Sequence, residues 1–313
     1  MKKSVQAFGK NYFQFPRCPI AVQTVDGRPY SQHAFDLTGT MHYHDFTELV
    51  VVAAGRGVQV INEIEYPVAA GDVFVLQGFS EHAFRERGTL ALLNVQFDAS
   101  LLPLPSAFLR RLPGYNVLFQ LEPRLRSRRI FRYRLHLEPQ LLAVVAARIE
   151  ALKLELEAQR DGFEAAAFSG LLELIILFSR QYSSLQTGNA NALLRLGKVI
   201  SRLEEDFTAE WTLERIARLA ATSPNNLLRL FKAATGCSPI GYLIRLRLQH
   251  AARLLESEWL SISEVALRCG FNDANYFSKK FKAFYRVSPR AYRTTPAEIK
   301  KGRKRKKRNI LVN

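Results

Sequence analysis

The sequence predicts an α+β protein of two domains. A β-barrel with a helical hairpin comes first, and an all-α domain built on two helix-turn-helix units follows. Three observations predict this. Short β-branched segments crowd residues 20–100, apolar positions at three- and four-residue steps take over from about 138, and one helical unit of the last third occurs twice. With 313 residues and 48% hydrophobic content, the chain can fill a core in each domain.

The strand region opens the order. Leu49 to Ala54 is a buried strand closed by Gly55-Arg56-Gly57, Val58 to Ile61 follows, and Asn62-Glu63 is a turn. Gly71-Asp72 launches Val73 to Leu76, and Leu90 to Phe97 closes the series, a spacing that suggests a sandwich or barrel. Next, Leu141, Leu142, Val145, Ile149, Leu152 and Leu156 form an apolar stripe that Asp161-Gly162 breaks. A second helix runs through Phe168, Leu171, Leu172, Ile175 and Phe178. Such a hairpin either caps the barrel or offers its leftover apolar surface as a dimer seam, and one stripe can do both. The small polar run Ser183 to Asn191 reads as the interdomain linker. The expected boundaries are therefore 1–137 for the β domain, 138–183 for the hairpin, 184–192 for the linker, 193–298 for the all-α domain and 299–313 for a disordered basic tail. That tail carries eight cations in the nine positions from Lys300 to Arg308.

The repeat is the most specific feature. Ser223 to Lys232 aligns on Asp273 to Lys282 at an offset of fifty, and Pro239 and Tyr242 fall on Pro289 and Tyr292. Upstream, Leu213, Ile216 and Ala217 match Ile262, Val265 and Ala266 at an offset of forty-nine, so the second turn is one residue longer. Ser223 and Asp273 are N-caps, and Pro224 sits where its missing N–H costs nothing. In the first helix Leu227, Leu230, Phe231 and Ala234 face inward, leaving Asn225, Leu228, Arg229 and Lys232 outward. In the second, Phe277, Phe281 and Phe284 face inward, leaving Asn275, Ser278, Lys279 and Lys282 outward. Arg suits guanine O6 and N7, Asn suits adenine N6 and N7, and Lys holds phosphates. Pro239 to Glu256 reads as one long helix that spaces the two reading helices across successive major-groove faces, about 34 Å apart.

Charge agrees with this division. Residues 1–189 carry 20 Lys and Arg against 18 Asp and Glu, whereas residues 190–313 carry 25 against 10, which points to a polyanion partner for the rear half. Cys18, Cys237 and Cys269 show no metal-ligand spacing and fit a reducing compartment. The first ten residues lack the apolar stretch of a secretory signal, and no apolar run approaches the ~20 residues that span a bilayer, so the expectation is a cytoplasmic protein without a membrane partner.

On Ser263 to Lys282, continued by Ser288-Pro289-Arg290-Ala291-Tyr292-Arg293, residues 193–294 resemble the DNA-binding domain of AraC/XylS-family bacterial transcription regulators. The resemblance implies base contacts from Asn225, Leu228, Arg229, Asn275, Ser278 and Lys279. Leu228 departs from the polar residue often found there and either touches a thymine methyl or only excludes water.

In the front domain His42, His44, Glu48 and Gly55 match the first cupin motif, and Gly71 opens a partial second motif ending at His82. Gln77, Phe79 and Glu86 stand where that second motif prefers Pro, Gly and Asn. Residues 20–98 thus resemble a cupin barrel, and His44 to Leu49 are similar to regulators of rhamnose-type sugar operons. Three readings of His42, His44, Glu48 and His82 stay open: a metal site, a set of hydrogen-bonding contacts to an effector, or strand ends that satisfy themselves. The expectation adopted is effector binding, with no cofactor, no metal and no catalytic residue assigned, because the degraded second motif counts against an enzyme.

The resemblance implies an effector-responsive activator of a carbohydrate-utilisation operon. Its partners would be promoter DNA, a small-molecule effector of the sugar class, RNA polymerase and a second copy of the chain. Two other classes compete: a cupin metalloenzyme carrying a DNA-binding domain, and an architectural protein that binds all sequences through its tail.

Overall fold

A computed structural model describes residues 4–26, 35, 39–78, 80–85, 89–127, 134–185, 188–257 and 259–294. Phe79, Glu86, Gln186, Thr187 and the basic tail lie outside the described residues. The chain divides into two compact units, Met1–Gly197 and Lys198–Asn313.

The first unit is the predicted β domain with its hairpin. Its strands are β1 (Val5–Ala7), β2 (Ile20–Val25), β3 (His42–His44), β4 (Thr47–Ala54), β5 (Arg56–Ile61), β6 (Ile64–Ala69), β7 (Asp72–Gln77), β8 (His82–Arg85), β9 (Ala91–Phe97) and β10 (Leu135–His136). They form two five-stranded sheets in the orders β1-β3-β8-β5-β6 and β10-β7-β4-β9-β2. Both sheets feed one apolar core: Val50, Val52, Phe74, Leu76 and Leu92 come from the second, and Ile61, Tyr66, Val68 and Phe84 from the first. The Asn62-Glu63 turn has φ of 45° and 67°, the doubly left-handed hairpin turn that matches strand twist, and it pairs Ile61 with Ile64.

A short turn, Ser106–Leu109, precedes a helical stretch that runs unbroken through Pro113–Tyr115, the π-helical Asn116–Leu121 and Glu122–Ser127, and that stretch buries Val117, Leu118, Phe119, Leu121 and Leu125. The sequence reading assigned no element there. The hairpin consists of α1 (Pro139–Ala158) and α2 (Phe163–Ser183). Gln159 at φ 50° and Gly162 at φ 83° turn the chain between them. Helix α1 lies against β2 and β9, so one of its faces covers the β domain, while Val144 and Leu154 stay exposed.

The linker expected over 184–192 differs from what is found, because helix α3 (Gly188–Glu205) already begins inside it. Leu193, Leu194, Leu196, Val199, Ile200 and Leu203 are buried along this helix. Once such a stripe holds a helix in place, each residue added at its end fixes one more hydrogen bond, and a short polar run does not stop it.

The second unit continues with α4 (Leu213–Leu219), α5 (Pro224–Thr235), α6 (Pro239–Ser257), α7 (Ile262–Arg268), α8 (Ala274–Tyr285) and α9 (Pro289–Thr294). The repeat extends further than the aligned sequence. Tyr242 at the start of α6 donates to Glu204 on α3 at 2.8 Å, and its counterpart Tyr292 on α9 donates to Glu256 on α6 at 3.0 Å. Ser238 and Ser288 cap α6 and α9 alike, accepting from Gly241 at 3.1 Å and Ala291 at 3.2 Å. Helix α6 therefore closes the first helix-turn-helix unit with its N-terminal turn and leads the second helix-turn-helix unit with its C-terminal turns. This makes it a rigid spacer.

Candidate functional site

Each reading helix begins at a side-chain cap. Ser223 accepts from the Asn226 amide at 3.3 Å and Asp273 accepts from that of Tyr276, so both helices start at the residue the sequence marks. On α5, Leu227, Phe231 and Ala234 are buried, while Asn225, Arg229 and Lys232 are exposed and Leu228 is half-buried. On α8, Phe277, Phe281 and Tyr285 are buried, while Asn275, Lys279 and Lys282 are exposed and Ser278 is half-buried. Two inward assignments shift. Leu230 and Phe284 are half-buried, and Tyr285 takes the core position expected of Phe284, its ring packed on those of Phe281 and Tyr292. Arg229 rests on Asn226, donating to its Oδ1 at 2.9 Å.

The loops that hold these helices are tied to α6. Arg247 donates to the carbonyls of Phe207 at 2.7 Å and Ala209 at 2.8 Å, and its guanidinium lies 5.8 Å from the Phe271 ring centre. Burial lowers its basicity, and burial pushes the nearby Cys269 thiol up to about 11, which leaves Cys269 a core residue and not a nucleophile.

The second cluster sits between the sheets of the first unit, where His42, His44, Glu48 and His82 are all buried to 1% exposure or less. His42 and His82 face each other across β3 and β8, and Glu48 faces Gln96 across β4 and β9. His42 Nδ1 lies 3.0 Å from the Thr40 carbonyl, His44 Nδ1 2.8 Å from that of Phe46, and His82 Nδ1 2.9 Å from that of Ser80. A carbonyl only accepts, so all three Nδ1 atoms carry protons. His44 Nε2 and His82 Nε2 lie 3.4 and 3.5 Å from Glu48 Oε2.

Three of the four predicted residues therefore converge. His42 stands beside them, its ring 4.2 Å from that of His82 but 6.5 Å from that of His44. The sequence reading missed Asn94 and Gln96, whose amides donate to Glu48 Oε1 at 3.2 and 2.9 Å, and Gln23, which accepts from Gln96 at 3.0 Å. Two amides at alternate positions of an otherwise apolar strand were the available signal. Gln59 is also fully buried, and its amide makes no hydrogen bond among the described residues.

Two helix-turn-helix units with matching polar faces, carried by a chain with a β-sheet domain and a buried polar cluster, define the class of two-domain DNA-binding regulators. The comparisons bear this out. Residues 216–295 match the helix-turn-helix domain family, and residues 25–175 match the AraC-like ligand binding domain family. The HTH-type transcriptional activator RhaS of Citrobacter koseri is 31% identical over 283 residues, covering 90% of this chain and 95% of that protein. The RhaS activator of Klebsiella pneumoniae is 32% identical over 80% of this chain and 86% of its own length. Among solved structures, an AraC-type regulator from Chromobacterium violaceum is 30% identical, with a TM-score of 0.32, over 35% of this chain and all of that one. The chain belongs to the AraC family of transcriptional regulators. Among the described residues no helix is long and apolar enough to cross a membrane.

Proposed function

We propose that the protein is an effector-responsive activator of a carbohydrate-utilisation promoter. The observation that carries this reading is the paired exposure of Asn225, Arg229 and Lys232 on α5 and Asn275, Lys279 and Lys282 on α8, opposite buried aromatic and aliphatic faces. Leu228 and Ser278 complete the two reading faces. The likeness to RhaS activators supports a sugar as the effector class. The buried polar end of the β domain, with His42, His44, Glu48 and His82, is the place for that effector. Asn94, Gln96 and Gln59 supply the amides that carbohydrate hydroxyls require. The effector favours one arrangement of the DNA-binding domain over another, to the extent of its differential affinity. The exposed apolar residues of α1 serve a homodimer, RNA polymerase is the second protein partner, the compartment is the cytoplasm, and the chain is not an enzyme. As working boundaries, 1–137 senses, 138–183 dimerises and 193–298 reads DNA.

Selection of genomic fragments by the purified chain, with and without a panel of sugars at fixed physiological salt, tests this. The expected result is one or a few promoter fragments with paired half-sites, altered by a single sugar. Random fragments indifferent to every sugar would overturn the sensor assignment. Arg229→Ala and Lys279→Ala should each weaken specific binding by about 1–3 kcal/mol. Equal loss on random DNA would reassign them to phosphates.

A further inference from the structure

We propose that the cavity between the N-terminal segment, the free edge of β2 and helix α1 binds one free amino acid with an apolar side chain, held as its zwitterion. The cavity encloses about 250 Å³, and its walls include none of His42, His44, Glu48 and His82. Its floor is β2, the edge strand of its sheet. The Asp98 amide donates to the Pro19 carbonyl at 3.1 Å, and from there the register pairs Ala21 with Gln96 and Gln23 with Asn94. Alternate residues of an antiparallel ladder bond across the pair, so Ala21 and Gln23 bond to β9 and Val22 turns its N–H and C=O to the open side. The Ile20 amide agrees with this phase, since it donates to the Cys18 carbonyl at 2.7 Å and not to β9. A donor and an acceptor on one edge residue match the carboxylate and ammonium of one amino acid, as they would match one residue of an added strand.

Helix α1 supplies both charges. Lys153 and Glu157 line the cavity one turn apart. Lys153 Nζ stands 4.0 Å from Glu157 Oε1, beyond hydrogen-bond length, so each head keeps its bonding capacity for a ligand. The ligand's carboxylate goes to Lys153 and its ammonium to Glu157. Gln23 adds a donor on the carboxylate side. Its Oε1 is taken by Gln96 at 3.0 Å, which leaves its NH2 group for the cavity. Phe15, Ile20 and Leu156 form the apolar part of the wall, where the side chain lies. A neutral sugar would use neither charge, and a simple anion or cation would meet one charge of its own sign.

Calorimetric titration of the full chain with L-leucine, L-isoleucine, L-methionine and L-phenylalanine tests this. One ligand per chain is expected for at least one of these probes. Its N-acetyl derivative, which lacks the ammonium, and its amide, which lacks the carboxylate, should each bind about tenfold or more weakly, the effect of one charge-assisted hydrogen bond. Glu157→Gln should weaken the free amino acid by a similar factor and leave the N-acetyl derivative unchanged, whereas Lys153→Met should leave the amide unchanged. The two side chains are 57% and 27% exposed, so both variants keep the fold. Val144→Ser, at an exposed position of α1 outside the cavity, should bind as the parent does. A parent chain that binds none of the probes overturns the proposal. So does parent-like binding by both variants, which puts the amino acid elsewhere. Equal losses for the amino acid and both derivatives would reduce the two charges to a structural role and overturn it as well. Sugar-dependent fragment selection reads the regulator assignment separately, so either one can fail alone.

Discussion

In the first helix-turn-helix unit the turn passes through Ala221, exposed and at φ 47°. In the second it passes through Gly270 at φ 78° and is one residue longer. A Cβ on Gly270 would meet the Thr208 backbone at 2.8 Å and the Arg247 guanidinium at 3.0 Å, so the second turn is packed into the middle of its domain. The first units of helix differ too. Thr212 alone caps α4, whereas Ser261 and Glu264 cap α7 reciprocally, at 3.1 and 2.7 Å. At the far end, α5 stops on Gly236 and α8 on Arg286, both left-handed, a conformation that costs a side-chain-bearing residue about 1 kcal/mol. The same outward stripe is thus presented on two differently secured frames.

The comparison can be broken in order of size. Phe281→Ala should cost about 3–5 kcal/mol, and Phe231→Ala about 1 kcal/mol less, because Phe281 packs on the rings of Phe277, Tyr285 and Tyr292 while Phe231 meets that of Tyr242. Thiol exchange at buried Cys269 reads opening of the second unit, and denaturant unfolding reads the whole domain. Equal losses would refute the asymmetry. Gly270→Ala should cost about 2–3 kcal/mol, from strain plus contact with Thr208, whereas Ala221→Gly should change stability by only about a few tenths. Comparable effects in melting experiments would mean that the two turns are equally secured. Arg286→Gly should stabilise by up to about 1 kcal/mol without changing DNA affinity, and a loss of stability would show the left-handed cap to be unstrained.

Glu264→Gln is the smallest. The Ser261 hydroxyl and amide hold the Glu264 carboxyl below its ordinary range. A depressed carboxyl stabilises above its unfolded-state pKa and loses that contribution as pH falls through the folded value. The gap between parent and variant should therefore be full at neutral pH and shrink below about pH 4. A gap independent of pH would leave the cap no ionic part.

The duplicated units were legible because the same apolar and cationic positions recur fifty residues apart, and each copy supports the other. The Asn62-Glu63 turn was legible from its flanking strands. Strands β1 and β10 were not: three residues and two residues carry no period, and pairing with β3 and β7, distant in sequence, holds them. The helical stretch 113–127 hid for another reason: its Asn116–Leu121 part is a π-helix, and the buried Val117, Leu118, Phe119 and Leu121 do not recur at the 3.6-residue period. His44, Glu48 and His82 stood in a recognisable spacing, but the exclusion of His42 and the part played by Asn94 and Gln96 depend on strand registers that no linear spacing encodes.

Arg229 donates to Asn226 of its own helix. The proposed contact of its guanidinium with a base therefore requires one intramolecular hydrogen bond to break first. Exposed rotamers exchange in picoseconds to nanoseconds, so that release adds no slow step to binding.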